Sequence, residues 1–439
     1  MIHVIFLSPH SDPEASLGEP DSGGQCIYEH ELAQSLSAFP DFKITTYCRQ
    51  TFRRPDISTI NNSYSIKRIK CGPTGIISKE TIEGVLSEFS SKVRTDLQES
   101  LVSDTIILHG HYWDGGFASL HIKCNSSLKL PFVWTPHSLG SLKRRRFAGD
   151  DNELAYNFIP RQCWESYSLV AADTIICSSE KEKQSLIEDY AVNDQKVEVI
   201  SPGVRIEEFQ RLDQQSARAA LTLPSEGKIL LCLGRMTKSK GYQRAIQAFA
   251  ELKKIYQHPL HLVIVGGSAK EQTAEEKQYL ECLHEVVAQY ELQKSVHFRS
   301  ALPHDKVATA YSAADIFLMS SEHEPFGLVT VEAMAMKLPV VAANKGGTLD
   351  ILTHNRTGIL VDFQQPAAVA RYILSLLRDE TILTQIGDNA YRHAKHSFDW
   401  YQKSLRFSQV YRKITRHQDH DNFQQMVSDT YFLQQHFKG

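Results

Sequence analysis

SSEHEPFGLVTVEAMAMKLPVVAANKGGTLD, running from Ser320 to Asp350, decides the fold of this chain. It begins where the apolar run Ala314 to Met319 ends, so it reads as a strand leaving into a loop. Glu324 and Glu332 stand eight residues apart, the first followed by Pro325, Phe326 and Gly327, the second inside a helical pattern of Val331, Met334 and Ala335. A second apolar run, Leu338 to Ala342, leads into Lys345-Gly346-Gly347. A carboxylate on the loop and another in the helix can face one polar ligand. The amides opened by Gly327 sit at a helix N-terminus that suits an anionic or hydroxyl-rich group. The same residues also fit an ordinary strand, loop and helix with two solvated glutamates, since Glu is mostly exposed.

Upstream of that stretch the chain alternates strand and helix. Lys228 to Leu233 reads as a strand, Gly234-Arg235-Met236-Thr237-Lys238-Ser239-Lys240-Gly241 as a loop, and Tyr242 to Tyr256 as a helix. Arg235 and Lys240 on that loop can straddle a diphosphate and offset the charge that grows on it as it leaves. LVIVGG, Leu262 to Gly267, is a further strand and turn, Val296 to Arg299 a short one, and Leu302, Pro303 and His304 open the next helix. Downstream, Pro366 to Arg378, Glu380 to Ala394 and Phe398 to Ile414 read as helices.

The first half has the same alternation. His3 to Ser8 is a buried strand, followed by Asp21-Ser22-Gly23-Gly24-Gln25 and a helix from Ile27 to Leu36. The glycine pair is either a plain turn or a place where main-chain N–H groups approach a phosphate or sugar. Phe42 to Tyr47 and Ser65 to Ile69 are strands, and Ser78 opens a helical pattern on Ile82, Val85, Leu86 and Phe89 with Lys79 in its first turn. Thr105 to Leu108 is a strand ending in His109-Gly110-His111-Tyr112-Trp113-Asp114. Polar groups past a strand's carboxyl end mark ligand sites in open α/β sheets. His109 and His111 point to one side, but no third metal ligand stands near them in sequence. Pro131 to Trp134 leads into Thr135-Pro136-His137-Ser138-Leu139-Gly140-Ser141-Leu142-Lys143, and Lys143 to Arg146 is the densest positive charge in the chain. That cluster reads as a solvated basic loop or as an anion site. In the helix Tyr156 to Ala172, Arg161 and Glu165 are four apart, the spacing of a helical ion pair.

The 439 residues suggest two domains of roughly 200 residues each. Apolar residues make up 42% and charged residues 23%, as in soluble globular proteins, and the net charge of -3 gives no footprint for nucleic acid. None of the eight cysteines forms C-x-x-C, which leaves zinc-ribbon and redox motifs without support. Met1 leads into the run Ile2 to Leu7 without a basic n-region, and no apolar segment is long enough to cross a bilayer, so a cytoplasmic protein is expected. Asp419-His420-Asp421 imitates a D-x-D metal motif but follows no strand, and the polar tail from Thr415 has no assigned role.

EPFGL, EAMA and the Gly-Gly after them resemble the nucleotide-sugar-binding segment of the retaining glycosyltransferases of family 4, most of all sucrose-phosphate synthases and sucrose synthases. DSGGQ followed by Tyr28 resembles the glycine-rich loop of those synthases, TPHSLG followed by a lysine resembles the sucrose-phosphate synthase form, and G-R-x4-K-G at Arg235 to Gly241 is specific to the class. HGHYWDGG is similar to the HGHYADAG of sucrose-phosphate synthases, departing from it at Trp113 and Gly115.

The resemblance, over roughly residues 1 to 415, implies the α/β GT-B architecture: two Rossmann-like doubly wound domains facing a cleft. Residues 1–204 would form the acceptor-binding domain and 205–395 the nucleotide-sugar-binding domain, with 396–439 a helix returning to the N-terminal domain plus the tail. By resemblance, Glu324 binds the hexose hydroxyls, Glu332 the ribose, the amides of Phe326, Gly327 and Leu328 the sugar, and Arg235 and Lys240 the leaving diphosphate, with the nucleotide base near Arg299. Gly23, Gly24 and His137 close the donor site. Lys79, Lys143 and Arg161 hold the acceptor phosphate, alongside Gln25, Tyr112 and Ser138. His137, Arg235, Lys240 and Glu324 are the catalytic set, and no metal or other cofactor is expected. The expected reaction moves a hexose from UDP-glucose to fructose 6-phosphate. A GDP-mannose donor, or a lipid or polysaccharide acceptor, is the alternative. A sugar-nucleotide-binding scaffold is the non-enzymatic one.

Overall fold

A computed structural model describes residues 1–15, 24–51, 54–78, 81–100, 105–126, 129–147, 158–267, 272–303, 306–321, 324 and 326–417. Gly23, Lys79, His304, Pro325 and the Asp419 to Asp421 triplet fall outside them. The described chain forms two compact units. The first comprises Met1–Ala15, the residues up to Ile200 and those from Ser404 on; the second is Ser201–Lys403.

The first unit is built on eight strands: β1 (Ile2–Leu7), β2 (Phe42–Arg49), β3 (Ile57–Asn61), β4 (Tyr64–Ile69), β5 (Thr105–His111), β6 (Phe132–Thr135), β7 (Thr174–Cys177) and β8 (Val197–Val199). They lie in the order β3-β4-β2-β1-β5-β6-β7-β8, all parallel except the edge pair β3/β4. The second unit has β9 (Lys228–Leu233), β10 (Leu260–Val265), β11 (Val296–Arg299), β12 (Ile316–Met319), β13 (Val340–Ala343) and β14 (Ile359–Val361), in the all-parallel order β11-β10-β9-β12-β13-β14. That is the doubly wound order, with the strand sequence reversing between β9 and β12; in the first sheet it reverses between β1 and β5.

Near-continuous apolar strands belong in sheets covered on both faces. In β9, Leu230 and Cys232 pack into a core with Phe249 and Leu262, while Ile229 and Leu231 pack into another with Tyr311 and Phe317. The first unit has its own core around Ile5, Leu108, Phe132 and Trp134. The helix Trp400–His417 belongs to the first unit from Ser404 onward, where Phe407 and Tyr411 are fully buried. Tyr411 Oη lies 2.7 Å from His109 Nδ1, and the Arg412 guanidinium donates to both oxygens of Asp41 at 3.0 and 2.9 Å.

Several boundaries differ from the sequence reading. β5 runs through His109 and His111 instead of stopping at Leu108, because both imidazoles are buried against neighbours and Gly110 lies where a Cβ would meet Gly115 O at 2.5 Å. The helix expected from Ser78 begins at Glu83, since Ser78 and Thr81 close a turn ahead of it. Lys143 to Arg146 is helical, inside Gly140–Phe147, not a loop. The helix expected to open at Leu302 begins at Val307. Helices at Tyr112–Cys124, Gln214–Ala220 and Ala274–Gln289 and the antiparallel strand β3 have no counterpart in that reading.

Candidate active site

Ligands of open α/β sheets bind beyond the carboxyl ends of strands where the order reverses. In the second unit those ends are β9 and β12, and their loops carry Arg235, Lys240 and Glu324. Lys240 Nζ donates to Glu324 Oε2 at 2.6 Å, with both side chains largely covered. Backbone contacts hold each partner. Ser320 Oγ donates to Lys240 O at 2.9 Å, and Gly241, at φ 66, sits where a Cβ would meet Ser320 O at 2.2 Å. Glu324 O accepts the Gly347 N–H at 2.8 Å, and a Cβ on Gly346, at φ 69, would come within 2.7 Å of the same oxygen. The Gly-Gly after β13 is therefore the backbone seat of Glu324.

Arg235 is exposed, and its guanidinium has no hydrogen-bond partner among the described residues. Tyr242 links it electrostatically to the pair: burial, then Cys232, Tyr279 and Glu324, drive its hydroxyl well above the ordinary range, while Arg235 acts the other way. Its Oη has no partner among the described residues, and a Cβ on Gly234 would lie 3.2 Å from it and 3.3 Å from Lys240 Cε.

Gly327, at φ 104, opens the helix Leu328–Ala335. The amides of Phe326, Gly327 and Leu328 donate to no described residue, while the Phe326 ring is buried edge-on against Phe398. Glu332 is buried in that helix, and its Oε2 accepts from Tyr311 Oη at 2.8 Å. Arg299 stands apart from this group. Its guanidinium donates to Leu221 O, Thr222 O and Phe298 O at 2.7 to 2.8 Å, so only its backbone, which accepts from Gly266 N, faces the sheet end.

In the first unit the reversal lies between β1 and β5. Here His111, Tyr112, His137, Ser138, Lys143 and Arg161 come together. Arg161 is buried, and all three of its nitrogens are engaged: Nε with Glu165 Oε1 at 2.7 Å, Nη1 with Tyr112 Oη at 2.6 Å, Nη2 with Ser138 O at 2.7 Å and Ser138 Oγ at 3.2 Å. Glu165 is fully buried and also accepts from Gly140 N and from Tyr190 Oη, the latter at 2.5 Å. Arg161 thus braces the Ser138 turn and the Tyr112 ring from behind. Lys143 Nζ is 3.3 Å from Tyr112 Oη. Its basic neighbours turn elsewhere, Arg144 to Gln162 and Arg145 to Asp189.

His137 adopts a left-handed backbone, φ 55, which is strained for a side chain with a Cβ, and such strain collects at functional sites. Its Nε2 is 3.0 Å from His111 Nδ1, and burial, with His10 second, pushes its imidazole down to about 3. His109 is saturated by Tyr411 and Thr135. Gln25 Nε2 donates to Glu29 Oε1 at 2.8 Å, and Gly24 is exposed at the start of its helix.

Sequence reasoning missed His10, Glu29, Tyr242 and Tyr311, and it placed Asp114 among the polar groups after β5 without a partner. His10 donates its backbone N–H to Asp114 Oδ2 and sets its Nδ1 2.8 Å from the same oxygen, and its ring lies 5.0 Å from that of Tyr112. The one signal for this pair is that each follows a strand at the reversal point.

Two Rossmann-like units, the second with cations and carboxylates at its switch point, define a glycosyltransferase of the GT-B class. Residues 213–393 match the family model of group 1 glycosyl transferases, and residues 22–208 that of Glycosyltransferase Family 4. Mannosylfructose-phosphate synthase of Agrobacterium fabrum is 29% identical, over 90% of this chain and 88% of its own. D-inositol 3-phosphate glycosyltransferase 2 of Catenulispora acidiphila is 30% identical, over 93% and 94%. The solved sucrose-phosphate synthase of Thermosynechococcus elongatus has a TM-score of 0.79 at 27% identity, covering 95% of this chain and 100% of that one. The chain belongs to the family 4 glycosyltransferases, as a retaining-type enzyme. Among the described residues no helix is long and apolar enough to cross a membrane.

Proposed function

We propose that this enzyme transfers a hexose from a nucleoside diphosphate sugar to a sugar phosphate, with UDP-glucose and fructose 6-phosphate as the first pair, giving sucrose 6-phosphate. The observation that carries the proposal is the Lys240–Glu324 pair at 2.6 Å beside the exposed Arg235. Arg235 and Lys240 offset the charge on the departing diphosphate, the work Mg²⁺ does in other transferases, so the reaction needs no metal. Glu324 binds hexose hydroxyls and Glu332 ribose hydroxyls. The amides of Phe326, Gly327 and Leu328 hold the sugar, and the backbone at Arg299 borders the base. The acceptor hydroxyl attacks the anomeric carbon on the face the diphosphate leaves, and its proton passes to the leaving diphosphate oxygen.

In the first unit Lys143 meets the acceptor phosphate directly. Tyr112 and Ser138 are held for the acceptor by Arg161, and Gln25 contacts its hydroxyls. His137 lies beside the transferred sugar, and Gly23, Gly24 and Lys79 keep the roles the resemblance gives them. All three relatives above are named for a phosphorylated sugar or inositol, which supports a phosphorylated acceptor.

A second reading, GDP-mannose as donor, is favoured by the relative named mannosylfructose-phosphate synthase. A matrix of UDP-glucose, ADP-glucose and GDP-mannose against fructose 6-phosphate, inositol 3-phosphate and free fructose, read as released nucleoside diphosphate, tests both. Turnover is expected with one donor and a phosphorylated acceptor. Turnover only with free fructose, or none at all, would sink the proposal.

A further inference from the structure

The first unit holds a cluster of ligand-type side chains that the transfer reaction does not use as a set. Glu29 in the helix Gly24–Leu36, His111 at the end of β5 and His137 after β6 each offer one ligand atom, and these atoms lie within 4.8 Å of one another. Glu29 is fully buried; its Oε1 accepts from Ser8 Oγ and Gln25 Nε2 at 2.8 Å, and its Oε2 has no hydrogen-bond partner among the described residues. His111 is also fully buried, with Nδ1 facing His137 Nε2 and Nε2 without a partner among the described residues. A buried polar atom left unpaired carries a desolvation penalty of about 1–3 kcal/mol. Two such atoms in one cluster indicate a ligand that satisfies both.

We propose that Glu29, His111 and His137 bind a divalent transition metal of the zinc class. Two imidazole nitrogens and one carboxylate oxygen suit zinc and its neighbours, whereas magnesium and calcium prefer oxygen throughout. Ligands about 2.0–2.2 Å from zinc lie roughly 3.3 Å apart in a tetrahedron, so the cluster must draw in by up to about 1.5 Å. The site is therefore weaker than a four-ligand structural one. His109, the sequence neighbour that first suggested a metal pair, is not a ligand, since both its nitrogens are taken. Its ring lies 4.2 Å from the His111 ring, tilted by 34°, and Tyr28 lies edge-on to His137 at 4.8 Å, which fixes both imidazoles. His137 is the partly exposed member and gives the ion its entry. Each neutral imidazole gives the ion one nitrogen and keeps its N–H on the other. Resting on the role proposed above for His137, a captured metal draws that ring away from the transferred sugar, and zinc inhibits an enzyme whose chemistry is metal-free.

The test uses the full chain stripped of metal. Equilibrium dialysis against Zn²⁺ with elemental analysis is expected to return one bound equivalent, and Co²⁺ an absorption spectrum without thiolate charge transfer. Glu29→Gln and His137→Gln should each weaken binding more than about tenfold, the scale on which even outer partners of a metal site act. Glu29→Gln is close to isosteric, and His137→Gln alters the partly exposed member, so one reports even if the other fails to fold. No stoichiometric binding, a thiolate signature, or affinity unchanged in both variants would overturn the proposal. Binding is read without substrate, so an inactive enzyme would count against the reaction and not against the metal site.

Discussion

Lys240 and Glu324 form an ion pair under partial cover, and removing either leaves an uncompensated ion. Lys240→Ala should lower kcat by about 10²–10³, the range for loss of one preorganised charge-stabilising group, with Glu324→Gln falling comparably. A KM rise alone in steady-state kinetics would contradict this. Glu165 makes a different prediction. Glu165→Ala strands the buried Arg161 guanidinium, so urea denaturation should report a loss of about 3–5 kcal/mol. The KM for a sugar phosphate should rise as Tyr112 and Ser138 lose their brace. At this scale the sequence was half legible. Cations and carboxylates on loops after strands could be found by position. Glu29 and Tyr311 could not, because a lone polar residue in a helix reads as solvated, and their partners come from other elements or other turns. Arg161 was legible as an ion-pair spacing, and the pair exists at 2.7 Å, but nothing local told that it would be buried.

Among the elements, the glycine loops decide the geometry. Gly241→Ala would force a Cβ to 2.2 Å from Ser320 O at a left-handed φ, so it should cost about 2 kcal/mol or more and depress kcat by displacing Lys240. Gly84, in the helix Glu83–Ser100 with nothing near its Cβ position, is the control: Gly84→Ala should stabilise by about 0.5–1 kcal/mol. Thermal melts of both variants against the parent check the pair, and equal effects would refute the steric account. Strand-helix alternation was readable where apolar runs were bounded by glycine. It failed at β5, where two histidines sit inside a buried strand, and at Gly140–Phe147, where four consecutive basic residues hide a helix.

Across the whole molecule, buried histidines set the acid limit. Burial holds His109 and His111 well below their ordinary value and His137 at about 3, so the folded state keeps them neutral while the unfolded chain protonates them near 6.5. The unfolded state then binds more protons, and stability falls as pH drops below about 6.5, by up to ~1.4 kcal/mol per pH unit for each histidine. Glu29, held well above the carboxylate range by burial, has the opposite sign above about 4.5. Denaturation midpoints should therefore drop from pH 6.5 to 5, and imidazole NMR signals of these three should stay flat from pH 8 to 5. A midstep in those signals near 6.5 would overturn the assignment. The order of strands was not written in any one stretch. It follows only once right-handed crossovers are imposed on the alternation.

The helix that starts at Trp400 finishes the sheet that starts at Ile2. During synthesis, the nascent N-terminal half must therefore wait for its last part. Until residues past 412 clear the ribosome, His109 lacks the Tyr411 hydroxyl and Asp41 lacks the Arg412 guanidinium, while the domain made in between can already fold. The first unit is thus completed only once the helix Trp400–His417 has been made, although its strands are made first.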